Sequence, residues 1–318
     1  MPGSRPHVRG RRLPAQPSIA VVGASGLVGS CILAGLKSTS FPATEVRACG
    51  VRSLDPRSLA DVDLVFLASP DAVSKDLAPE LAAMGCVVLD LSASFRLDPA
   101  VPLLLDGIPS PELEQHDGIL AGPNCTNVGL VRVLDALRGR LEFEDLTLTT
   151  LQAASGGGRR LLEALDGGPL DADHPLAGNV VPQCDAFLED GSTGEEQRMI
   201  LETQRLLQMP NLPMAVTCVR VPVRVGHAVS LMLRTTAAVD LQEVASILED
   251  VADIHLSQGT DFPTAVSVEG QEGVFVGRLR HGADRNSLQM WIVVDNLLTG
   301  AASNAVAVAR RLLPADGS

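Results

Sequence analysis

The stretch from Ser18 to Ser38, SIAVVGASGLVGSCILAGLKS, decides the class of fold. A short apolar run is followed by the glycine-rich turn GASGLVG and then by apolar residues at helical spacing, which predicts a buried strand, a tight turn and a helix. Glycines in such a turn let the backbone approach a pyrophosphate, whose charge the helix N-terminus favours. The stretch therefore predicts a dinucleotide site, with an ordinary tight turn as the alternative. The predicted cofactor-binding residues here are Gly23, Ser25, Gly26, Leu27 and Val28.

The rest of the first half continues the same alternation. DVDLVFLAS and CVVLDLS are apolar runs typical of buried strands, and AVSKDLAPELAAMG between them predicts a helix that ends at a glycine. Strands that alternate with helices predict a parallel sheet with helices on both faces. We therefore predict an α/β protein whose residues 18–125 form a Rossmann-like NAD(P)-binding domain, completed by a C-terminal helix over 299–313.

The second half has a different pattern. Residues 144–155 alternate like a strand, 195–208 predict a charged amphipathic helix, and 215–235 predict a long β segment broken at Pro222 and Gly226. VFVGRLRH and LQMWIVVDNLL add two strands. Residues 126–298 are therefore predicted to be an α+β catalytic and dimerisation domain, with a mixed or antiparallel sheet covered by helices on one face. The basic, Pro- and Gly-rich start predicts a disordered arm over 1–17.

Composition excludes several classes of protein. The formal charge of −13 over 318 residues argues against nucleic acid or an anionic membrane as the partner. No apolar run approaches the roughly 18 residues of a membrane span. The six cysteines are scattered without a CxxC pair, which favours reduced thiols in a cytoplasmic protein. No cluster of His, Cys or carboxylate residues has the spacing of metal ligands, so no metal is predicted.

Cys125 has unusual neighbours for a cysteine. It lies in GPNCTN, where Pro, Asn and Thr precede and follow it at the start of a predicted helix. The helix dipole and the N–H groups of the first turn stabilise a thiolate, which would make Cys125 a nucleophile. The alternative is a small buried thiol, and that reading suits Cys31, Cys86 and Cys218, which lie in apolar patterns.

A thiolate nucleophile requires an acid/base partner and, for an anionic substrate, a cation. His227 follows Gly226 at a break in a β segment, where a side chain can be directed into a cleft. Arg220 lies in the otherwise apolar TCVRVPV and needs an anionic partner. That partner is either a substrate carboxylate or an acidic residue in a structural ion pair.

Nine segments in chain order resemble the bacterial aspartate-semialdehyde dehydrogenase family. They are GASGLVG, SASFR, GPNCTN, LQAASGGG, GNVVPQCD, EEQRMILET, CVRVPVRVGHA, FVGRLR and MWIVVDNLLTGAA, which together run from about residue 18 to 313. The family reaction is the reversible reductive dephosphorylation of L-4-aspartyl phosphate to L-aspartate 4-semialdehyde and phosphate with NADPH. It belongs to lysine, diaminopimelate, threonine and methionine biosynthesis. The resemblance implies a phosphorylating aldehyde dehydrogenase that is a homodimer.

The resemblance also implies a role for each matching residue. Cys125 would form the thioacyl intermediate, Gln152 would orient it, and His227 would be the acid/base. The implied substrate-binding residues are Arg96, Asn124 and Arg198 for phosphate, Arg220 for the α-carboxylate and Glu195 for the amino group. The implied cofactor-binding residues in the second half are Ser155, Gly156 and Asn296.

The second strand of the first half is followed by Arg52 and Ser53. An acid at this place would bind a ribose 2′-hydroxyl, whereas Arg-Ser suits a 2′-phosphate and therefore NADP. Arg52 is equally compatible with a solvated loop, and the segment after it is about 20 residues shorter than is usual in the family, so NAD is the alternative cofactor.

Four further departures distinguish this chain from the family pattern. The lysine of the family's Glu-x-x-Lys pair is Arg198 here, Leu91 replaces a polar residue, and DGIP at 106–109 replaces PEVN. A planar guanidinium binds phosphate with a different geometry from a lysine ammonium. The segment after QAASGGG is also about 20 residues shorter than is usual in the family.

Two other functions are compatible with the sequence. One is a non-catalytic paralogue that keeps the fold for binding, although Cys125, Gln152, Arg220 and His227 are all retained. The other is a related acyl-phosphate or acyl-thioester reductase acting on N-acetylglutamyl phosphate or malonyl-CoA. Glu195, a ligand for a free amino group, favours the amino-acid substrate.

Overall fold

The computed structural model describes residues 9–52, 54–167 and 175–314. The chain divides into two compact units, one comprising the described residues up to Pro123 and from Ala301 onward, the other comprising Asn124–Gly300. The sequence predicted these boundaries after Cys125 and after Leu298.

The elements follow in chain order. The strands are β1 (Ser18–Val22), β2 (Glu45–Cys49), β3 (Leu64–Leu67), β4 (Val87–Asp90), β5 (Ile119–Ala121), β6 (Phe143–Gln152), β7 (Met214–Arg220), β8 (His227–Thr235), β9 (Ile254–Leu256), β10 (Val274–His281) and β11 (Ser287–Val294). The α-helices are α1 (Leu27–Ser38), α2 (Asp71–Ala83), α3 (Cys125–Arg138), α4 (Arg159–Leu165), α5 (Gly194–Leu207), α6 (Leu241–Glu249), α7 (Ala265–Val268) and α8 (Asn304–Arg311).

The first unit is a five-stranded sheet in the order β2-β1-β3-β4-β5. All its strand pairs are parallel. Successive residues of β1 point to opposite faces, so Ile19 and Val21 join one apolar cluster while Ala20 and Val22 join another. Helices α1 and α8 contribute to the first cluster and α2 to the second. This arrangement confirms the predicted parallel sheet with helices on both faces.

The second unit is a six-stranded sheet in the order β7-β6-β8-β11-β10-β9. It is mixed, because β6 with β7 and β9 with β10 are parallel while the other pairs are antiparallel. Helix α3 packs closely on one face, where a Cβ added at Gly129 would lie 2.6 Å from Val294 Cγ1. The mixed sheet with a helix-covered face is confirmed.

The arm predicted over 1–17 is only partly within the described residues, which begin at residue 9. From there the prediction of disorder is wrong. Leu13 is buried in the α1/α8 cluster and its N–H donates to the Leu312 carbonyl at 2.8 Å, while Arg11 forms an ion pair with Asp63. A single leucine among basic residues and prolines gives no periodic signal, which is why the sequence pattern did not reveal this packing.

The C-terminal helix also begins differently from the prediction. Instead of a continuous α-helix over 299–313, a π-helical turn at Leu298–Ser303 precedes α8. At Gly300 this turn comes so close to Cys125 that an added Cβ would lie 2.8 Å from the Cys125 carbonyl oxygen. π-Turns of this kind are frequently found at functional sites. Within the described residues no helix is both long enough and apolar enough to cross a membrane.

Candidate active site

The glycine turn of the first unit has the geometry of a backbone anion site. Gly23 has φ +83°, and an added Cβ would lie 2.1 Å from the Ala68 carbonyl oxygen, so only glycine fits there. The Gly26 N–H donates to the Gly23 carbonyl at 2.8 Å, which closes the turn. Gly26 is the N-cap of α1 and provides no side-chain cap for it. The predicted residues Gly23, Ser25, Gly26, Leu27 and Val28 therefore form one bend that leads into a helix N-terminus.

Arg52 follows β2 of the first unit on an exposed turn, and Ser53 lies outside the described residues. Within the described part of the chain, the Arg52 guanidinium makes no hydrogen bond or ion pair. Arg47, by contrast, is paired with Glu45 and Asp61. In many dinucleotide folds, an acidic residue after this strand binds the ribose 2′-hydroxyl. Here β2 is followed by Gly50, Val51 and Arg52 instead.

Arg96 also belongs to the first unit. It is 8% exposed, and its Nε and one Nη donate to the carbonyls of Gly122 and Leu91 at 2.9 and 2.8 Å. These backbone bonds fix the guanidinium beside the end of β4. Asp90, in the same place, has its pKa raised by burial, although Ser92 donates a hydrogen bond to it.

In the second unit, the predicted nucleophile lies at a capped helix start. Cys125 is the first residue of α3, and the Asn124 side chain accepts a hydrogen bond from the Thr126 N–H at 2.8 Å as the N-cap. Cys125 itself is half-buried. An Asn N-cap satisfies one backbone donor and defines where the helix begins. The predicted helix N-terminal location of this thiol is confirmed.

Glu195 connects the residues around Cys125. Its Oε1 accepts from Asn124 Nδ2 at 2.8 Å and from Gln152 Nε2 at 3.1 Å, and its Oε2 accepts from Arg198 at 3.0 Å. Arg198 also pairs with Asp185 at 2.6 Å, which holds its guanidinium on the side facing Glu195. Glu195 therefore brings together three other predicted site residues, Asn124, Gln152 and Arg198.

Strand register brings two more residues, Arg220 and His227, to the end of the sheet where Gln152 lies. Gln152 ends β6 directly beside Arg220, which ends the parallel strand β7. On the other side of β6, Leu151 pairs with Ala228, so His227 begins β8 next to Gln152. The Arg220 Nη1 donates to the Ala153 carbonyl at 2.8 Å, which orients the guanidinium. Within the described residues Arg220 has no acidic partner in an ion pair, so the structural ion pair considered from the sequence does not form there.

The protonation state of His227 follows from its hydrogen bonds. The Ala153 N–H donates to His227 Nδ1 at 3.0 Å, so in the neutral ring the proton is on Nε2. The ring is 1% exposed, and Nε2 is buried without a partner among the described residues. Burial, with a smaller contribution from Arg220, lowers the pKa of His227 to about 3. The group is therefore a neutral hydrogen-bond donor at neutral pH.

Gly156 lies against this histidine. A Cβ added at Gly156 would be 2.9 Å from His227 Nε2 and 3.0 Å from an Arg220 nitrogen. Ser155 exchanges hydrogen bonds with the Asn296 side chain, whose Oδ1 also accepts the Gly226 N–H at 2.9 Å. The predicted cofactor-binding residues of the second unit thus form one network beside His227.

Two other thiols in the second unit differ from Cys125. Cys184 and Cys218 are 2% and 0% exposed, and burial raises the pKa of Cys184 to about 12 and that of Cys218 further still. Both are therefore protonated and inert at neutral pH. Among the residues that the structure describes, no group of three or more His, Cys, Asp or Glu side chains is arranged to hold a metal ion.

Sequence reasoning missed three contributors to this site. The backbone of Ala153 binds both His227 and Arg220, and no sequence signal marks a backbone group. Asp185 pairs with Arg198 across a loop. Glu202 binds the backbone of Asn124, and its position seven residues after Glu195, on the same helix face, is the signal that could have found it.

A nucleotide-type turn in one unit and a half-buried thiol at a capped helix start in the other are features of a two-domain dehydrogenase. Comparison with known families agrees. Residues 43–116 match the family described as semialdehyde dehydrogenase, NAD binding domain, and residues 134–299 match semialdehyde dehydrogenase, dimerisation domain.

Individual relatives make the assignment more specific. The aspartate-semialdehyde dehydrogenase of Bacillus subtilis is 32% identical over 92% of this chain and 96% of its own length. The crystal structure of aspartate semialdehyde dehydrogenase II from Vibrio cholerae, complexed with ASA, superposes with a TM-score of 0.87 at 32% identity, covering 93% of this chain and 98% of that one. The enzyme from Candida albicans with NADP, 20% identical over 93% of this chain and 98% of that one with a TM-score of 0.73, shares the fold.

The chain belongs to the aspartate-semialdehyde dehydrogenase family. The predictions of the family, of an oxidoreductase and of an NAD(P)-binding domain are confirmed.

Proposed function

We propose that this protein catalyses the reversible NADPH-dependent reductive dephosphorylation of L-4-aspartyl phosphate to L-aspartate 4-semialdehyde and phosphate. The observation that carries the proposal is the placement of Cys125 at the start of α3, with Gln152, Glu195, Arg220 and His227 gathered in the same unit. The biosynthesis of lysine, diaminopimelate, threonine and methionine follows from the family. All six cysteines are free thiols, which suits a reducing cytoplasm.

The first step uses the thiol. The Cys125 thiolate attacks the acyl carbon of aspartyl phosphate, the carbon–oxygen bond to phosphate breaks, and inorganic phosphate leaves, so that a thioester remains on Cys125. Arg96 and Arg198 supply positive charge for the phosphate, and Arg198 does so with a planar fork in place of the family's lysine. The Gln152 amide, held by Glu195 at 3.1 Å, orients the acyl group.

The amino-acid end of the substrate is bound by two opposite charges. Arg220, directed by the Ala153 carbonyl at 2.8 Å, binds the α-carboxylate. Glu195 binds the α-amino group, and its contacts from Asn124, Gln152 and Arg198 leave one of its roughly four lone-pair positions for that ammonium. This charge pair favours a free amino acid over an N-acylated or CoA-linked substrate.

The residues present fit a dinucleotide. The turn at Gly23 leaves no room for a Cβ, α1 has no side-chain cap, and Arg52 offers an unpaired cation for a 2′-phosphate within the described residues. Ser155, Gly156 and Asn296 would border the nicotinamide. When bound, NADPH supplies a hydride to the thioester carbon. His227 Nε2–H then donates to the resulting oxyanion, and the carbon–sulfur bond breaks to release the aldehyde and the Cys125 thiolate.

The homodimer is proposed to form through the open face of the second sheet. This face has a cavity of about 460 Å³ lined by apolar side chains that include Leu151, Phe262 and Trp291. Phe262 and Val266 beside it are 55% and 78% exposed, which is unusual for large apolar residues in a lone subunit. The Val266→Asp variant should shift the protein from dimer to monomer in light scattering coupled to size exclusion.

The proposed reaction is tested by reduction of NADP, and separately of NAD, with L-aspartate 4-semialdehyde in the presence and absence of phosphate. We expect phosphate-dependent NADPH formation that is lost in Cys125→Ser and retained in the control Cys86→Ala, whose thiol is buried in the first unit. Turnover with N-acetylglutamate 5-semialdehyde in place of the free amino acid, or no turnover from a folded protein, would contradict the proposal.

A further inference from the structure

Helix α5 presents two glutamates to the turn that carries Cys125. Glu195 and Glu202 are seven residues apart, which places them on the same face of the helix, two turns from each other. Glu195 Oε1 accepts from the Asn124 side-chain amide at 2.8 Å. Glu202 Oε2 accepts from the Asn124 backbone N–H at 2.6 Å. The residue that precedes Cys125 is therefore held at both its side chain and its backbone.

The residue two positions after Cys125 is held in the same way. Asn127 Nδ2 donates to Glu202 Oε2 at 3.3 Å, and Asn127 Oδ1 accepts from the Thr203 hydroxyl at 3.1 Å. Glu202, Thr203 and Asn127 are all 0% exposed. The turn Asn124–Asn127 thus contacts α5 on both sides of the reactive thiol.

A buried carboxylate between two helices carries a large desolvation cost. Removing an ionised carboxylate from water costs several kcal/mol unless donors replace the lost hydration, and an apolar pair of similar volume packs as well or better. Met199 and Leu206 on α5 already supply apolar packing and are buried. The donors that Glu202 takes include those of Asn124 and Asn127, so it holds the turn that carries Cys125.

We propose that Glu202 is a positioning residue for the Cys125 nucleophile, acting by holding the Asn124 N–H and the Asn127 amide and by placing a negative charge at the start of α3. The bonds fix the direction in which the Cys125 side chain leaves the helix. The charge opposes the helix dipole at this end and so limits how readily the thiolate forms. The proposal rests on the proposed role of Cys125 as the nucleophile.

The first test replaces Glu202→Gln, which keeps the size and removes the charge. We expect kcat to fall about 10-fold with the KM for phosphate unchanged, since Arg96 and Arg198 are untouched. The pH midpoint of Cys125 alkylation by iodoacetamide should move to lower pH by about 1 unit, because a nearby negative charge has been removed. Cys184, which lies near Cys125, stays unaltered, as do the charged groups around Cys184, which include Glu195, Glu196 and Arg220.

The second variant separates position from charge. Glu202→Asp keeps the carboxylate but withdraws it by one methylene, beyond hydrogen-bond reach of the Asn124 N–H. We expect a loss of kcat similar to that of Glu202→Gln, while the alkylation midpoint stays within about 0.3 unit of the wild-type value.

The matched control is Glu196→Gln. Glu196 is a buried glutamate on the same helix that accepts the N–H groups of Thr193 and Cys218 at 2.7 and 2.8 Å. It should lose thermal stability like the Glu202 variants and keep both the wild-type kcat and the wild-type midpoint.

The outcomes distinguish the two proposals. A wild-type enzyme that turns over while Glu202→Gln keeps its kcat and midpoint would overturn the role of Glu202. The same holds if all three variants lose only melting temperature, since that is a purely structural role. A wild-type protein without phosphate-dependent turnover would instead contradict the proposed function, and a shifted alkylation midpoint would still support the placement of Glu202 at the thiol.

Discussion

Two helix starts in this protein use the same backbone geometry for different purposes. At the start of α1 the chain is glycine-rich, Gly26 provides no side-chain cap, and the space around Gly23 admits no Cβ. At the start of α3, Asn124 caps the helix, and Glu195 and Glu202 hold that asparagine. The first helix start is bare and the second is enclosed by polar side chains.

The difference shows how a helix dipole can serve binding or chemistry. A bare N-terminus leaves backbone N–H groups available for an extended anion such as a pyrophosphate, and glycines allow the approach. A capped N-terminus with buried carboxylates around it fixes one side chain, Cys125, at a defined place. Substitutions at each helix start test this difference.

Gly23→Ala should break the bare helix start. The alanine Cβ would lie 2.1 Å from the Ala68 carbonyl oxygen at a φ of +83°, so we expect a loss of about 3 kcal/mol in the free energy of unfolding and no measurable NADP binding. Urea unfolding and calorimetric titration with NADP measure the two effects. The control is Gly35→Ala in α1, whose Cβ would lie 3.4 Å from Val306 Cγ2 and which should be neutral or up to about 1 kcal/mol more stable. Equal unfolding free energies and equal NADP binding in the two variants would refute the proposal that the turn at Gly23 binds the dinucleotide.

The pH dependence of the unfolding free energy should show how completely the His227 ring is shielded from water in the second unit. Because its pKa is lowered from 6.5 to about 3, the unfolded state binds an extra proton between these values. The free energy of unfolding is therefore not reduced by His227 above pH 6.5, and it decreases as the pH falls below this value. Relative to His227→Gln, the wild type should lose up to about 1.4 kcal/mol of unfolding free energy per pH unit below 6.5, or about 2 kcal/mol at pH 5. Parallel stability curves for the two proteins would mean that the ring is solvated.

Asn124→Ala should weaken the enclosed helix start without abolishing the fold. Loss of an N-cap costs about 1 kcal/mol of stability, and release of Glu195 from Asn124 Nδ2 should lower kcat about 10-fold. Asp240→Ala removes a comparable N-cap, that of α6, which accepts the Gln242 N–H at 2.8 Å. It should cost the same stability and leave kcat unchanged. If both variants lose kcat equally, the effect is one of general stability.

Arg52→Ala tests the smallest difference, the one between two cofactors. Removing the cation should raise the KM for NADP about 5-fold and leave the KM for NAD unchanged, since only NADP has a 2′-phosphate. Steady-state kinetics with each cofactor provide the measurement, with Arg57→Ala on the following loop as a control. An equal rise for both cofactors would place Arg52 at the pyrophosphate or outside the site.

The two regions also differ in how much of them could be predicted from sequence. The strand, glycine turn and helix over 18–38 were predictable because periodicity and glycine spacing are local signals. The three-residue strand Ile119–Ala121 carries too short a pattern to be recognised. The position of Cys125 at a helix start was predictable from its polar neighbours. Arg220 was singled out as a candidate site residue because a charge in an apolar strand requires an anionic partner.

The support of the site was not predictable, for a physical reason. The hydrogen bond from the Ala153 N–H to His227 is made by a backbone group, which any residue type provides. The hydrogen bond from the Asn124 N–H to Glu202 depends on the packing of α5 against α3, two helices far apart in sequence. In the π-turn before α8, Gly300 lies against the Cys125 backbone, a contact that no local pattern encodes.

Cys125 is proposed to be the nucleophile of an acyl-enzyme reaction. The most direct measurement mixes the enzyme with L-aspartate 4-semialdehyde and NADP without phosphate, follows NADPH rapidly, and locates the covalent adduct by peptide mass spectrometry. We predict a burst of one NADPH per subunit and an aspartyl thioester on Cys125 that disappears when phosphate is added. A folded protein that gives no burst, or an adduct on another cysteine such as Cys184, would contradict the account.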